Sequence, residues 1–149
     1  LNELNKFLHE KASRRFVTMF LCSVNSAGSG LFISAGHNPA YLYRAASGTI
    51  EELSATGLMV GAFDFATFES SPLDLQLGDI LLAYSDGLTE AESPSGEMFG
   101  EERVKEIILR DAPAGSEQLL QTVLGALENF IENQPQTDDI TIIVAEYAQ

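Results

Sequence analysis

The sequence predicts an α+β fold in which helices lie over antiparallel sheet. Three features support this class: a helical pattern at the start, a series of short β-rich runs separated by turn residues, and two helical patterns before a last apolar run. An apolar fraction of 45% is normal for a folded protein with a hydrophobic core. Because no internal repeat or long linker divides the chain, we expect a single domain over residues 1–149.

The first half of the chain predicts a helix followed by a series of strands. Apolar residues at helical spacing indicate an amphipathic helix over residues 1–13. The β-rich runs 16–24 and 31–35 are joined by turn residues, a pattern typical of a hairpin. Two further short strands, again separated by a turn, are expected at residues 40–44 and 49–53.

The second half changes from strands to helices. Residues 65–75 alternate irregularly, whereas residues 80–85 are continuously apolar, as expected for a strand that is covered on both faces. Helices are expected at residues 101–110, where acidic residues precede a terminal arginine, and at residues 116–133, where apolar residues follow a 3/4 spacing. A last buried strand is predicted at residues 140–145.

The charge of the chain argues against one class of partner. Its 22 acidic and 8 basic residues give a net charge of -14. Such a surface repels the phosphate backbone of nucleic acids, so nucleic-acid binding is not expected. The same surface suits divalent cations wherever several carboxylates converge, although most of the acidic residues are expected simply to be solvated.

Cysteine content and hydropathy predict a cytoplasmic protein without membrane contact. The single cysteine, Cys22, excludes an intramolecular disulfide, and its apolar neighbours predict a buried small hydrophobic side chain rather than a nucleophile. No apolar stretch approaches the roughly 20 residues that span a membrane, and no signal peptide is visible.

Two acidic positions stand out because they border predicted buried strands. Asp86 directly follows the apolar strand in the middle of the chain, and Gly87 after it is expected to let the backbone turn sharply. Asp138 and Asp139 directly precede the last strand, where two adjacent like charges need a counter-cation or full solvation. Since antiparallel neighbours place such strand ends side by side, we expect Asp86 and Asp138 to lie close together.

The residues alone leave two interpretations of these carboxylates open. An Asp-Gly pair after a strand is often only a turn, and adjacent acids before a strand often form only a solvated loop. The functional interpretation is a site for a hard cation such as Mg²⁺ or Mn²⁺, which prefers carboxylates and water. Zinc is not indicated, because the two histidines, His9 and His37, lack zinc-type spacing.

Four segments of the chain, taken together and in order, resemble the SpoIIE/RsbU-like branch of the PP2C (PPM) serine/threonine protein phosphatases. They are RFVTMF at 15–20, SAGHNPA at 34–40, LGDILLAYSDGLTEA at 77–91 and TDDIT at 137–141, with the loop GEMFG at 96–100 between the last two. Each segment is weak alone, but their combination and order are specific. The resemblance covers nearly the whole chain.

The resemblance implies a sandwich of two antiparallel sheets flanked by helices, with a two-metal site at one end. In that family a metal-activated water attacks the phosphorus of phosphoserine or phosphothreonine, so no side chain acts as the nucleophile. Asp86 matches the metal-binding Asp-Gly of the family, and Asp138 matches the metal-binding Asp of its C-terminal motif, with Asp139 beside it. His37 lies near the position of an acidic residue in distant relatives, but we favour a turn-stabilising role for it.

The resemblance also implies that part of the domain lies outside this sequence. The family has an upstream Gly-Asp-type motif whose Asp bridges both metals, and no such motif precedes the helix predicted at residues 1–13. We therefore expect residues 1–149 to be a partial phosphatase domain that lacks several strands and is inactive alone. The missing strands should expose apolar edges, which favours self-association as a homodimer.

The sequence is compatible with three functions. The first is a Mn²⁺- or Mg²⁺-dependent phosphatase that acts on a phosphoprotein, such as an anti-sigma-factor antagonist, behind a sensor or receiver domain in the parent chain. The second is a non-catalytic phosphatase-like module that binds a regulatory partner in bacterial signalling. The third is an unrelated Mg²⁺-binding α+β domain. The matches at Asp86, Gly87 and Asp138 favour the first.

Overall fold

The structure is a computed structural model in which residues 1–11, 15–132, 134–136 and 138–148 are described. The predicted ends of two helices, at residues 12–13 and 133, lie outside these residues, as does Thr137. The chain divides into two compact units, and each is considered by itself. The first comprises Leu1–Pro39 and Leu53–Leu75, and the second comprises Ala40–Glu52 and Gln76–Gln149.

The described residues form helices and two antiparallel sheets, which confirms the predicted α+β class. In chain order the elements are α1 (Asn2–Lys11), β1 (Met19–Val24), β2 (Ser29–Ala35), β3 (Ala40–Arg44), β4 (Thr49–Leu53), β5 (Ser71–Asp74), β6 (Ile80–Tyr84), α2 (Asp86–Thr89), α3 (Gly100–Asp111), α4 (Ser116–Ile131) and β7 (Ile142–Glu146). One turn of 3-10 helix, Ala112–Ala114, joins α3 to α4.

The first unit contains a three-stranded sheet in the order β1–β2–β5. β1 and β2 form the predicted hairpin, with Cys22 opposite Phe32 in the antiparallel register. The buried side chain of Asn5 fixes α1 to this unit. Its amide donates a hydrogen bond to the carbonyl oxygen of Phe63 (2.9 Å) and accepts one from the backbone nitrogen of Gly61 (2.7 Å). Both polar ends of the buried amide are therefore paired, as burial requires.

The second unit contains a four-stranded sheet in the order β4–β3–β6–β7, together with α2, α3 and α4. All five residues of β6 are buried, which confirms the expectation from its continuously apolar run. Side chains of β3 and β6 share one hydrophobic cluster with the apolar faces of α3 and α4. In α4 the buried residues Leu119, Val123 and Leu127 recur every four positions, the spacing that places them on one helix face.

A buried carboxylate, which the sequence analysis did not identify as structurally important, fixes the start of β6. Asp79 is 1% exposed. Its carboxylate accepts hydrogen bonds from Arg44 Nη1 (2.8 Å) and from the backbone nitrogens of Ala45 and Gln76 (both 3.0 Å). Arg44 also pairs with the exposed Glu51. These contacts offset the cost of removing the Asp79 charge from water.

Several predicted strand bounds are wrong. The first strand begins at Met19 rather than at residue 16, and Ser71–Asp74 is the strand within the irregular region 65–75. The last strand is Ile142–Glu146, and it is partly exposed rather than buried, with Ile143 59% exposed. The physical reason is its position: within the described sheet β7 pairs with β6 alone and therefore lies at an edge.

The prediction that Cys22 is buried is also wrong. Cys22 is an exposed free cysteine in β1. Within the described residues β1 pairs with β2 alone, so it is an edge strand, and the consecutive residues from Leu21 to Ser23 are all exposed. An apolar run in the sequence therefore did not imply burial here, because burial depends on what packs against the strand.

Large apolar side chains are exposed in both units. The most exposed are Phe65 (70%), Leu77 (63%), Phe7 (61%) and Ile143 (59%). Among the described residues, no helix combines the length and the apolar character needed to cross a bilayer.

Candidate metal centre

The end of β6 and the start of β7 are neighbours in the sheet. The two strands are antiparallel, and Tyr84 at the end of β6 is paired with Ile142 at the start of β7. The pairing continues one step beyond both strands, because the backbone nitrogen of Ser85 donates to the carbonyl oxygen of Thr141 (2.9 Å). The segments that carry Asp86 and Asp138–Asp139 therefore leave the same end of the sheet.

Asp86 is the first residue of the short helix α2 and is exposed. Its carbonyl oxygen accepts hydrogen bonds from the backbone nitrogen of Glu90 (2.9 Å) and from Thr89 Oγ1 (3.2 Å). Its carboxylate accepts a hydrogen bond from the backbone nitrogen of Gly87 (3.1 Å). A negative charge is favourable in this first turn of a helix. The backbone of Asp86 is thus fixed while its carboxylate stays open to solvent.

The expected reason for Gly87 is wrong. Gly87 lies inside α2 and is not one of the glycines with a positive φ, so no sharp turn requires it. A close approach requires it instead, because a β-carbon at Gly87 would lie 2.6 Å from the carbonyl oxygen of Asp139. It would also lie 3.3 Å from Ile140 Cγ1. The glycine therefore lets the start of α2 pack directly against the backbone that precedes β7.

Ser85 joins the same two segments through its side chain. Its hydroxyl donates a hydrogen bond to the carbonyl oxygen of Asp139 (3.0 Å) and accepts one from the backbone nitrogen of Thr141 (2.9 Å). Ser85 is not among the site residues predicted from the sequence. The available signal was its place directly before the Asp-Gly pair, where a small hydroxyl side chain follows a run of apolar residues.

Asp138 and Asp139 are both exposed. The carboxylate of Asp138 accepts a hydrogen bond from the backbone nitrogen of Asp139 (2.7 Å), and the carbonyl oxygen of Asp138 accepts one from the side-chain amide of Gln136. These local bonds order the segment before β7. Thr137, which the sequence motif includes, lies outside the described residues.

The donor chemistry of the three carboxylates fits Mg²⁺ or Mn²⁺, because both ions prefer carboxylate oxygens. Within the part of the chain that the structure describes, no group of three or more His, Cys, Asp or Glu side chains is arranged to hold a metal ion. Asp86, Asp138 and Asp139 are all described and do not by themselves form such a group, so their role as metal ligands stays a prediction.

The basic side chains of the second unit are already paired. Arg44 pairs with Asp79 and Glu51, Arg103 with Glu97, Lys105 with Glu102, and Arg110 with Asp111. These four are all the Lys and Arg residues within 40–52 and 76–149.

A small cavity of about 120 Å³ opens beside α2 in the second unit. It is lined by Gly87, Ala91, Glu92, Ser93, Ile131, Gln134, Pro135, Gln136 and Ile140. Two of the lining residues are next to candidate metal ligands in the sequence: Gly87 follows Asp86, and Ile140 follows Asp139.

His37 belongs to the first unit, where it contacts Thr18 and Ser34; the turn-stabilising role favoured from the sequence stays a prediction. Its Nδ1 lies 3.2 Å from Thr18 Oγ1, and its carbonyl oxygen accepts a long hydrogen bond from Ser34 Oγ (3.5 Å).

A family model described as Stage II sporulation protein E (SpoIIE) matches residues 1–148. Among curated proteins, the chain is 33% identical over 129 residues to Protein IcfG of Synechocystis sp. and 25% identical over 146 residues to the phosphoserine phosphatase RsbU of Bacillus subtilis. These alignments cover 86% and 97% of the chain but 20% and 43% of the relatives. The chain thus spans less than half the length of the curated relatives it matches.

Solved structures with PP2C domains share the fold. The RsbU and RsbW domains of Rv1364c from Mycobacterium tuberculosis match with a TM-score of 0.69 and 22% identity, over 95% of this chain and 39% of that chain. The SiaA-PP2C domain of Pseudomonas aeruginosa matches with a TM-score of 0.68 and 22% identity, over 80% of this chain and 47% of that chain. The phosphatase domain of SpoIIE from Bacillus subtilis (Mn presoaked) has a TM-score of 0.66 and 17% identity, over 88% of this chain and 56% of that chain.

Proposed function

The chain belongs to the SpoIIE family, because the model of that family matches residues 1–148, and we propose that it is part of a metal-dependent phosphatase. The proposed reaction is the hydrolysis of phosphoserine or phosphothreonine on a regulatory phosphoprotein. In this proposal residues 1–149 form a partial PP2C-like phosphatase domain, and the chain alone has little or no activity.

One observation carries the proposal. Asp86 follows β6 and Asp138–Asp139 precede β7, and these two strand ends are paired. Under the proposal Asp86, Asp138 and Asp139 hold Mn²⁺ or Mg²⁺, together with ligands from outside this set. When bound, two such ions lower the pKa of a water molecule and neutralise charge on the phosphoryl group.

The residues of the chain have two tasks in this reaction. The buried strand β6 and its partner β7 hold the carboxylates at a rigid end of the sheet. Bound cations would also offset the repulsion between a phosphoryl dianion and the exposed carboxylates of Asp86, Asp138 and Asp139.

The names of the relatives support the substrate class. RsbU and RsbP of Bacillus subtilis are both named phosphoserine phosphatases, and the chain matches them over 97% and 98% of its length. We extend this to a phosphoprotein substrate of the anti-sigma-factor-antagonist type, with a sensor or receiver domain elsewhere in the parent chain and a cytoplasmic location. Exposed apolar side chains such as Phe65 and Leu77 support self-association, and we propose a homodimer.

The test uses the full-length protein that contains this chain. Release of phosphate from a phosphoserine protein is measured with Mn²⁺, with Mg²⁺, after chelation, and after Mn²⁺ is added back. We expect turnover that chelation removes and Mn²⁺ restores. Turnover that survives chelation would contradict the metal mechanism, and no turnover of any phosphoserine or phosphothreonine substrate with either metal would contradict the proposed reaction.

A non-catalytic interaction module is the second candidate. It is favoured by the absence of a group of three or more metal-binding side chains among the described residues. In that case a regulatory protein would bind equally well with and without Mn²⁺, and Asp86→Asn would leave its affinity unchanged.

A further inference from the structure

We propose that Ser85 is a positioning residue that sets the spacing between Asp86 and the Asp138–Asp139 segment by clamping the ends of β6 and β7 together. The inference rests on the proposed function for its consequence, metal binding, but the clamp itself is a structural feature that can be tested without turnover.

Ser85 both donates hydrogen bonds to the segment before β7 and accepts one from it. Its hydroxyl donates to the Asp139 carbonyl oxygen (3.0 Å) and accepts from the Thr141 backbone nitrogen (2.9 Å). Its own backbone nitrogen donates to the Thr141 carbonyl oxygen (2.9 Å). One residue therefore makes three hydrogen bonds to a segment that lies 54 to 56 positions away in the sequence.

The two hydrogen bonds of the Ser85 hydroxyl extend the connection where regular sheet pairing ends. The last paired residues of the two strands are Tyr84 and Ile142, and one further backbone hydrogen bond joins Ser85 to Thr141. Beyond it the chain enters α2 on one side and the loop of Asp138 and Asp139 on the other. A backbone amide at such a position would otherwise depend on water for its partner. The Ser85 hydroxyl supplies the partner for Thr141 and continues the connection as far as Asp139.

The hydroxyl is suited to this task and is committed to it. A serine hydroxyl has one hydrogen to donate, and here that hydrogen goes to the Asp139 carbonyl. Ser85 therefore acts on the candidate site through the backbone of Asp139. Gly87 also lets α2 lie close to the segment before β7, because a β-carbon at Gly87 would collide with the Asp139 carbonyl oxygen.

The consequence for a metal site follows from its geometry. Mg²⁺ and Mn²⁺ need their oxygen ligands in near-octahedral positions, so the carboxylates on the two segments must keep a fixed separation. Groups that orient metal ligands without touching the metal are worth about 10- to 100-fold in metal affinity. Removal of the Ser85 hydroxyl should therefore weaken metal binding more than it slows the metal-saturated reaction.

The experiment compares Ser85→Ala, Ser85→Cys and Ser85→Thr in the full-length protein, with Ser47→Ala as the matched control. Ser47 is an exposed serine whose hydroxyl contacts Thr49 in a turn of the same unit (2.7 Å). Amide exchange at Thr141 is measured without metal, Mn²⁺ affinity is measured by electron paramagnetic resonance, and turnover is measured as a function of Mn²⁺ concentration.

We expect Ser85→Ala to speed exchange at Thr141 and to weaken Mn²⁺ binding by about 10-fold or more, with turnover recovering at saturating Mn²⁺. Ser85→Thr, which keeps the hydroxyl, should behave as the unchanged protein, Ser85→Cys should lie between, and Ser47→Ala should have no effect. If Ser85→Ala does not fold, the test rests on whether Ser85→Cys exchanges faster at Thr141 and binds Mn²⁺ more weakly than Ser85→Thr.

Three results would overturn the clamp: unchanged exchange at Thr141 in Ser85→Ala and Ser85→Cys, unchanged Mn²⁺ affinity in both, or the same loss in Ser85→Thr as in Ser85→Cys. Failure of the proposed function has a different signature. In that case no phosphoprotein is hydrolysed and no Mn²⁺ binds even to the unchanged protein, and exchange at Thr141 then decides the clamp by itself.

Discussion

Gly87 lies so close to the carbonyl oxygen of Asp139 that a β-carbon at Gly87 would come within 2.6 Å of it. The two residues are far apart in the sequence, and each directly follows a candidate metal ligand, Asp86 or Asp138. The contact therefore joins the two halves of the candidate site through their backbones. It also makes the glycine a requirement of packing between segments rather than of a local turn.

Gly87→Ala should disturb this contact. The added methyl group meets backbone atoms, so α2 or the segment before β7 must shift, and overpacking of this kind costs about 1–3 kcal/mol in free energy of unfolding. Gly125→Ala is the control, because Gly125 lies within α4 with nothing within 4 Å of its β-carbon position. That change should instead stabilise by up to about 1 kcal/mol. Urea unfolding of both variants measures the difference, and equal effects would refute the close-approach argument.

Asp86→Asn and Asp138→Asn should each abolish metal-dependent phosphate release in the full-length protein. A neutral amide keeps the shape of the side chain but removes the charge that holds a cation. Both aspartates are exposed, so thermal unfolding should change little. Glu128→Gln, which removes an exposed charge from α4, serves as the control and should keep full activity. Near-normal turnover of either aspartate variant at saturating Mn²⁺ would remove that residue from the mechanism.

The isolated chain should bind Mn²⁺ weakly or not at all. Among the described residues no three candidate ligands converge, whereas Mg²⁺ and Mn²⁺ sites need near-octahedral oxygen coordination. Calorimetric titration of residues 1–149 with Mn²⁺, beside the same titration of the full-length protein, checks this. Tight stoichiometric binding by the isolated chain, with robust turnover of a phosphopeptide, would show that Asp86, Asp138 and Asp139 need no further ligand.

Asp79→Ala should destabilise the second unit strongly. The change leaves the Arg44 guanidinium and the backbone nitrogens of Ala45 and Gln76 without their acceptor, and breaking a buried pair costs about 3–5 kcal/mol. Glu51→Ala removes the other partner of Arg44, but Glu51 is half-exposed, so the cost should stay below about 1 kcal/mol. Urea unfolding of both variants compares them. Similar small losses would mean that burial of Asp79 contributes little.

The sequence by itself determined the fold class and the order of the longer helices and strands, whereas the short helix α2, which begins at Asp86, was not predicted. Short strand patterns separated by turn residues located β3 and β4 at their observed bounds, and the continuous apolar run located β6 and its burial. These features are local: propensity, periodicity and turn chemistry act within about ten residues, so they can be read along the chain. The motifs around Asp86 and Asp138 likewise pointed to the family that the full-length match then showed.

Tertiary structure alone decided the features that depend on distant partners. The exposure of Cys22 and of β7 follows from their edge positions, the burial of Asp79 from its pairing with Arg44, and the need for Gly87 from the Asp139 carbonyl. Each of these contacts joins residues that are remote in sequence, and a residue's own type does not specify what packs against it. The separation of Asp86 from the Asp138–Asp139 segment belongs to the same class, because it is set by the pairing of β6 with β7 and by the hydrogen bonds of Ser85.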